Sequence, residues 1–284
     1  QRSLSAADAR RRFGFAEAST DAGEVLDDPS LDAVFVVTRH SSHAALVCRA
    51  LEAGKAVFVE KPLCLDERQL EAVLATIRRS GNDRLVVGFN RRFAPLLTEM
   101  RARFGDPAGP VLARYHVNAG ALAATSWYRR EDLEGSRFVG EGGHFVDTVS
   151  WWVGADPVEV TATPAGGDGD LQLDLRYPDG SLGVVTYLTH GHPRAPKETF
   201  DVTGGRRSAR LDNFARTTVW TGRRRLVRRA LGAPDKGQQA ELEAFLRAVR
   251  TGGPMPIPLA SLVATTSATF AAGTPTRPGA APAS

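Results

Sequence analysis

The chain has 284 residues, 42% hydrophobic and 24% charged, a composition typical of a globular protein with one or two domains. No apolar run approaches the roughly 18 residues that a membrane-spanning helix needs. There is also no signal-peptide pattern, and the two cysteines, Cys48 and Cys64, make no disulfide framework. These features favour a protein of the reducing cytoplasm.

The net charge of +4 and the isoelectric point of about 9.4 raise the question of nucleic-acid binding. The densest basic run, GRRRLVRRAL from Gly222, is a candidate for following a phosphate backbone. Leu226 and Val227 interrupt this run, and no aromatic residue is interleaved with the arginines. An exposed strand with solvated arginines is therefore favoured, and no nucleic-acid partner is predicted.

Residues 1–104 alternate continuous apolar runs with helical patterns. Strands are predicted in LDAVFVVTR from Leu31, AVFVE from Ala56 and RLVVGFN from Arg84, with helices between them. Continuous apolar strands separated by helices are typical of βαβ units with a parallel sheet covered on both faces. The first part of the chain is therefore predicted to be a doubly wound α/β domain.

Residues 105–273 have a different pattern, in which turn signals such as YPDGS and TGGRR separate segments of alternating hydrophobicity. They predict an open, mainly antiparallel sheet. Helices are predicted at GGHFVDTVSWWVG, at about 236–250 and at 259–270. Residues 274–284, rich in Pro, Gly and Ala, are predicted to be a disordered tail.

Polar side chains stand where each of the three apolar strands stops. Ligands of open α/β sheets bind at the carboxyl ends of the strands, because loops and helix N-termini converge there. Three consecutive strand ends with such residues point to a site, although ordinary solvated loop residues are the alternative for any one of them. The segments are VVTRHSSH (36–43), VFVEKP (57–62) and VVGFNRRF (86–93).

Lys61 is the sharpest candidate among these residues. Glu60 precedes it and Pro62 restricts the backbone after it, so the lysine is expected to be oriented rather than free. Partial burial would lower its pKa toward acid/base chemistry. A Glu-Lys surface pair is the alternative, and the apolar flanks argue against it.

A second candidate site lies in GEGGHFVDTVSWW. His144 and Asp147 are three residues apart and share one helix face, while Gly142 and Gly143 allow close approach of a ligand or another backbone. A histidine beside a carboxylate is suited to proton transfer, and a core histidine capped by aspartate is the alternative. No third ligand has suitable spacing, so no metal site is predicted.

These segments together resemble the Gfo/Idh/MocA oxidoreductase family, and most closely its bi-domain members fused behind a zinc-alcohol-dehydrogenase-like region. The resemblance rests on VTRHSSHAALVCRALEAGKAVFVEKPL, GFNRRFAP and GEGGHFVDTVSWWVG. It implies a Rossmann-like domain (1–104) that binds NAD or NADP, followed by a substrate and oligomerisation domain (105–273) whose open sheet mediates homo-oligomer contacts. The implied substrate is a sugar or a sugar-like secondary alcohol.

The resemblance also implies roles for individual residues. Lys61 is then the catalytic lysine that bridges substrate and cofactor, joined to Pro62 by a bond that is often cis, and His144 with Asp147 moves the proton. Sugar-alcohol dehydrogenases of the family carry a further histidine where this chain has Trp151, which favours His144 and weakens a polyol assignment. The remaining implied contacts are Thr38, His43 and Glu60 with the cofactor, and Asn90 and Arg91 with the substrate.

The sequence departs from the family pattern at its start. The first strand, the Gly-rich turn G-x-G-x-x-G and the acidic residue that ends strand two are not found. A missing strand-turn-helix of roughly 30 residues is therefore expected. The alternatives to an active dehydrogenase are a non-catalytic dinucleotide or ligand sensor, a glycosidase that recycles a bound cofactor, and an inactive fragment.

Overall fold

The computed structural model describes residues 3–166 and 169–273. Its first unit contains a three-stranded parallel sheet with β2 (Ala56–Val59) in the centre, between β1 (Ala33–Val36) and β3 (Leu85–Val87). The predicted parallel sheet is confirmed. The helices in this part of the chain are α1 (Ser3–Phe13), α2 (Ala22–Leu26), α3 (His43–Glu52), α4 (Glu67–Ser80) and α5 (Pro95–Phe104).

Helix α4 shows how local sequence sets the ends of these elements. The Asp66 carboxylate accepts a hydrogen bond from the Gln69 backbone N–H at 2.7 Å, which caps the first turn. Gly81 ends the helix with a φ of +68°, a left-handed conformation that costs glycine little. Glu67 in the first turn and Arg78 and Arg79 in the last turn complement the helix dipole.

The central strand β2 is buried along its whole length because both faces of the sheet are covered. Val57 and Val59 lie in a core cluster with apolar side chains of α3 and α4. Ala56 and Phe58 point to the other face, where Phe245 packs against them. Burial of a phenylalanine side chain such as Phe245 contributes about 1.5–3 kcal/mol.

The second unit is an eight-stranded sheet. Its one parallel pair joins β4 to β7, and the other neighbouring strands are antiparallel, so the predicted mainly antiparallel sheet is confirmed. The spatial order is β11-β10-β9-β8-β4-β7-β6-β5. The strands are β4 (Val111–Asn118), β5 (Glu159–Pro164), β6 (Leu171–Arg176), β7 (Leu182–Leu188), β8 (Glu198–Gly204), β9 (Arg207–Asp212), β10 (Arg216–Thr221) and β11 (Arg224–Arg229).

Three helices lie between β4 and β5 in the chain: α6 (Glu131–Glu134), α7 (Arg137–Glu141) and α8 (Gly143–Val153). The largest core cluster is formed by one face of the eight-stranded sheet together with α5 and α8. The opposite face carries side chains that remain accessible, among them Leu112, Arg114 and His116 of β4. The eight-stranded sheet is therefore covered on one side by this chain.

Helices α9 (Gln238–Thr251) and α10 (Leu259–Phe270) begin and end close to the predicted bounds, and together they contact both units. Phe245 of α9 covers one face of the parallel sheet, and Leu262 of α10 lies in the cluster on the other face. Ala268 of α10 lies in the core cluster of the eight-stranded sheet. These helices thus join the two units, and the division into 1–104 and 105–273 stays a prediction.

Within the described residues, no helix is long and apolar enough to cross a membrane. The tail predicted at 274–284 lies outside the described residues.

Candidate functional site

Lys61 lies directly beyond the carboxyl end of β2, and Pro62 follows it through a cis peptide bond. Its ammonium donates a hydrogen bond to the Tyr128 hydroxyl at 2.8 Å, from a side chain that is partly buried. Burial lowers the pKa of Lys61, and the carboxylates of Glu141 and Glu60 oppose that shift. The lysine is thus oriented at the edge of the sheet, as the sequence predicts.

His43 does not line an open path as expected, because it is fully buried under this turn. Its Nδ1 lies 2.7 Å from the Pro62 carbonyl oxygen, and its Nε2 lies 3.2 Å from the Thr38 carbonyl oxygen. Both ring nitrogens therefore face backbone oxygens of the two strand ends. His43 fastens the Lys61 turn to the end of β1 rather than offering a nitrogen to a ligand.

Thr38 and Glu60 remain available at the carboxyl edge. Thr38 is exposed, and its hydroxyl lies 2.6 Å from that of Ser42. Glu60 is partly buried, and one of its carboxylate oxygens accepts the Lys61 backbone N–H at 3.3 Å. Together with Lys61 and Pro62, these residues form the edge where a cofactor could be held.

Asn90 and Arg91, predicted to contact substrate, belong to a buried polar network. Arg91 pairs with the fully buried Glu198 through contacts of 3.2 and 3.3 Å. Lys236 and the Tyr115 hydroxyl contact the same carboxylate at 2.5 and 2.7 Å. The neighbouring cations lower the pKa of Glu198 to about 2 even though burial works in the opposite direction.

Asn90 completes that network, which we call the Glu198 network (Tyr115, Arg91, Asn90, Glu198 and Lys236). Its amide nitrogen donates to the Lys236 carbonyl at 2.9 Å, and its amide oxygen accepts from Arg91 at 2.8 Å. Asn90 and Arg91 thus have partners within the protein, and their contact with a substrate stays a prediction.

His144 is buried in the first turn of α8, and its Nδ1 has no hydrogen-bond partner among the described residues. Burial, together with the nearby cations Arg91 and Lys61, holds the pKa of His144 well below its usual value. The imidazole is therefore neutral at pH 7. A neutral imidazole with an unoccupied nitrogen is able to bind or transfer a proton.

The structure does not pair His144 with Asp147, although the two share a helix. The Asp147 carboxylate is fully buried and accepts two hydrogen bonds from the Arg92 guanidinium, at 2.5 and 2.9 Å. Burial raises the pKa of Asp147, while Arg92 acts in the opposite direction. The sequence predicts that Asp147 assists His144 directly. The structure does not show such a contact, because both carboxylate oxygens of Asp147 accept hydrogen bonds from Arg92.

The two glycines before His144 accommodate aromatic rings rather than an open approach. A Cβ added to Gly143 would lie 2.6 Å from the Phe89 ring, and one added to Gly142 would lie 2.6 Å from the Phe138 ring. Side chains at these positions would displace buried rings. Gly143 therefore allows α8 to pack closely on Phe89 at the end of the parallel sheet, and Gly142 leaves room for the Phe138 ring of α7.

Sequence reasoning missed Tyr128 and Glu141. Tyr128 contacts Lys61 from a segment without regular periodicity, 67 residues away in the chain. Glu141, at the end of α7, accepts a hydrogen bond from the Tyr187 hydroxyl at 2.8 Å. The local signal for Glu141 is its position next to Gly142 in GEGGHFVDTVSWW. The local sequence does not predict that the Glu141 carboxylate interacts with Lys61.

An open cleft of about 600 Å³ lies next to Tyr128, the hydrogen-bond partner of Lys61. Tyr128 forms part of its wall, and most of the other lining side chains are polar or charged. The lining also includes Ala121 and Leu122, so the cleft offers apolar surface as well as polar and charged groups. The polar lining residues include Arg129, Glu131, Asp132, Arg137, Thr189 and His190.

Comparison with known proteins gives a family match for the first part of the chain. Residues 1–89 match the model of the GFO_IDH_MocA family, described as an oxidoreductase family with an NAD-binding Rossmann fold. This match confirms the Gfo/Idh/MocA resemblance for that part of the chain.

Two curated relatives extend the similarity. Levoglucosan dehydrogenase of Pseudarthrobacter phenanthrenivorans is 25% identical over 234 residues, which cover 70% of this chain and 60% of the relative. The scyllo-inositol 2-dehydrogenase (NAD(+)) of Bacillus subtilis is 30% identical over 153 residues, covering 53% and 44% respectively. The chain thus spans about half of the length of these relatives.

The fold is shared with solved structures. An NAD binding oxidoreductase from Klebsiella pneumoniae superimposes with a TM-score of 0.82 at 21% identity, covering 94% of this chain and 84% of that one. At this identity the similarity concerns the fold alone. It includes the combination of a Rossmann-like parallel sheet with a second, mostly antiparallel sheet.

Proposed function

We propose that this chain, which carries the Gfo/Idh/MocA family match in residues 1–89, is an NAD(P)-dependent oxidoreductase of a sugar or sugar-like secondary alcohol. The observation that carries the proposal is Lys61, held at the carboxyl end of a parallel strand, next to a polar cleft. The names of the two curated relatives, both dehydrogenases of hydroxyl-rich compounds, support the substrate class.

The residues at the sheet edge fit a nicotinamide cofactor. Thr38 and Glu60 present polar groups at the ends of β1 and β2, and the buried Nδ1 of His144 is left without a described partner. When bound, the cofactor accepts a hydride at the C4 carbon of its nicotinamide ring. NAD and NADP remain equal candidates for this role.

The chain's own residues account for the rest of the reaction. Lys61 hydrogen-bonds the substrate oxygen and stabilises the negative charge that develops on it. As the carbon gives up its hydride and the carbonyl forms, the hydroxyl proton leaves and is accepted at Nδ1 of the neutral His144. Asp147 acts on the site only through Arg92, which it holds in place.

Further parts of the proposal concern the organisation of the protein. Leu112 and Leu182, register partners on neighbouring strands, are both exposed on the open face of the eight-stranded sheet and support a homo-oligomer contact there. Analytical ultracentrifugation of the wild type and of Leu112→Glu tests this contact. The likeness to bi-domain members stays a prediction.

The first experiment is a titration of the purified chain with NADH and NADPH, followed by nicotinamide fluorescence. Saturable binding of either cofactor, followed by cofactor reduction in a screen of sugars and cyclic polyols, is expected. Binding without turnover of any alcohol would favour the ligand sensor instead. No binding of either cofactor would contradict the proposed function for this chain.

A further inference from the structure

Tyr128 connects the cleft to Lys61. The tyrosine lines the cleft, Lys61 is not among the lining residues, and the two side chains are joined by the hydrogen bond of 2.8 Å. Among the described residues, no acceptor is found for the proton of the Tyr128 hydroxyl. The hydroxyl thus accepts from the lysine and keeps its own proton free for a further partner.

The position of that hydroxyl is fixed by packing of the ring. The Tyr128 ring lies edge-on against the His40 ring, with centroids 4.9 Å apart, and its centroid is 4.3 Å from that of Trp127. Gly140 leaves the space that the ring needs, because a Cβ there would lie 2.9 Å from both Tyr128 and His40. Aromatic pairs of this kind restrict ring motion and add to stability.

The surroundings keep the hydroxyl neutral. Burial and the Glu141 carboxylate raise the pKa of Tyr128 far above neutrality, which rules out a tyrosinate at pH 7. A neutral hydroxyl next to an ammonium acts by orienting it, not by removing its proton. The charged or titratable groups that interact electrostatically with Lys61 include Glu141, Glu60, Arg91, Lys197, His40 and His144.

We propose that Tyr128 is a positioning residue for Lys61: its hydroxyl holds the lysine nitrogen and fixes the direction from which that nitrogen meets a substrate oxygen. The inference rests on the proposed function for its purpose, but the contact itself does not. A ligand in the cleft meets Tyr128 first, so its oxygen joins or replaces the tyrosine hydroxyl on Lys61. The reactivity of Lys61 should therefore depend on this one hydroxyl.

The test is competitive acetylation of the four lysines of the folded chain with limiting acetic anhydride, followed by mass spectrometry of Lys61 and of the exposed Lys197. Tyr128→Phe removes only the hydroxyl. The matched control is Tyr177→Phe, whose buried hydroxyl lies 3.0 Å from the Ser150 hydroxyl, away from Lys61. Neither cofactor nor substrate is needed, so the result is independent of whether the proposed function holds.

In Tyr128→Phe we expect Lys61 to be acetylated roughly five- to tenfold faster than in the wild type, because its nitrogen loses a hydrogen bond. Lys197 should react at an unchanged rate, and Tyr177→Phe should match the wild type. If Tyr128→Phe does not fold, Tyr128→Leu is measured in the same way. Equal Lys61 rates with and without the Tyr128 hydroxyl would overturn the proposal, as would equal acceleration in Tyr177→Phe.

Discussion

Two groups of polar side chains border the same site, the Glu198 network and the pair Lys61 and His144, and they differ in how completely their atoms are paired. In the Glu198 network the carboxylate is contacted by two cations and a hydroxyl. Beside it, Lys61 contacts one hydroxyl, and His144 keeps a ring nitrogen with no described partner. The saturated group stabilises the junction of the elements, whereas the unsaturated group retains capacity for a ligand.

The difference is an expected consequence of burial cost. A buried charge without a partner is strongly unfavourable, so most such groups are paired within the protein. A buried polar atom left unpaired next to a cleft is therefore an informative exception. The Nδ1 of His144 is such an exception, whereas Glu198 and Arg91 are paired with each other.

Breaking the unsaturated group should have the largest effect, and it should fall on activity. Lys61→Met removes the ammonium and leaves an unbranched side chain that is shorter by one atom, so turnover should fall by roughly 10²- to 10⁴-fold. The measurement is cofactor reduction with the alcohol that the wild type oxidises fastest. Thermal unfolding of the variant serves as the control for folding, and turnover close to the wild type would show that Lys61 is not catalytic.

Breaking the saturated group should instead affect stability. Glu198→Gln leaves the Arg91 and Lys236 charges without their carboxylate, which should cost about 3–5 kcal/mol in urea unfolding. The matched control is Glu159→Gln, which breaks the exposed ion pair with Arg176 and should cost less than about 1 kcal/mol. Similar losses in the two variants would contradict the proposed distinction.

The Glu198 network also predicts a pH dependence. The pKa of Glu198 is lowered to about 2, so its contribution to stability is complete above the unfolded-state pKa and is lost as the pH falls toward 2. Glu198→Gln should therefore lose less stability than the wild type on acidification below about pH 4.5. Parallel stability curves for the two proteins in this range would count against the assignment.

The smallest effect is expected at His40, which packs beside Tyr128. Burial lowers the pKa of His40 to about 4, so the native imidazole is neutral where the unfolded one takes up a proton. Stability therefore falls as the pH drops from about 6.5 to 4, by roughly 1–3 kcal/mol. Because the pKa of the buried His144 is also lowered, replacing His40 with Gln should reduce, without abolishing, the loss of stability between pH 6.5 and 4 in urea unfolding. An unchanged slope would show that His40 does not titrate there.

Local sequence predicts some of these features well and others not at all. The end of an apolar run at Val59 is enough to place Lys61 at a strand end, since strand termination is a local property. Helix periodicity likewise places His144 and Asp147 on one helix. It does not predict that Arg92, 55 residues earlier, takes both oxygens of Asp147.

The features that sequence reasoning missed depend on contacts between distant segments. Tyr128 meets Lys61 through a loop whose path no periodicity defines. Strand β4 is a different case, because its buried and exposed residues alternate along Val111 to Val117, which is the local pattern typical of a strand. The docking of α9 and α10 on the parallel sheet is set by tertiary packing of Phe245 and Leu262, which local pattern does not encode.

The packing of α9 on the parallel sheet has a consequence for the biosynthesis of the chain. Phe58 and Val86 are buried by Phe245 of α9, which leaves the ribosome after the whole eight-stranded sheet. Until then, one face of the parallel sheet stays uncovered, and a nascent chain with such a surface is a substrate for chaperones and prone to association. Native structure at the site should thus be completed late in translation, when the last two helices have emerged.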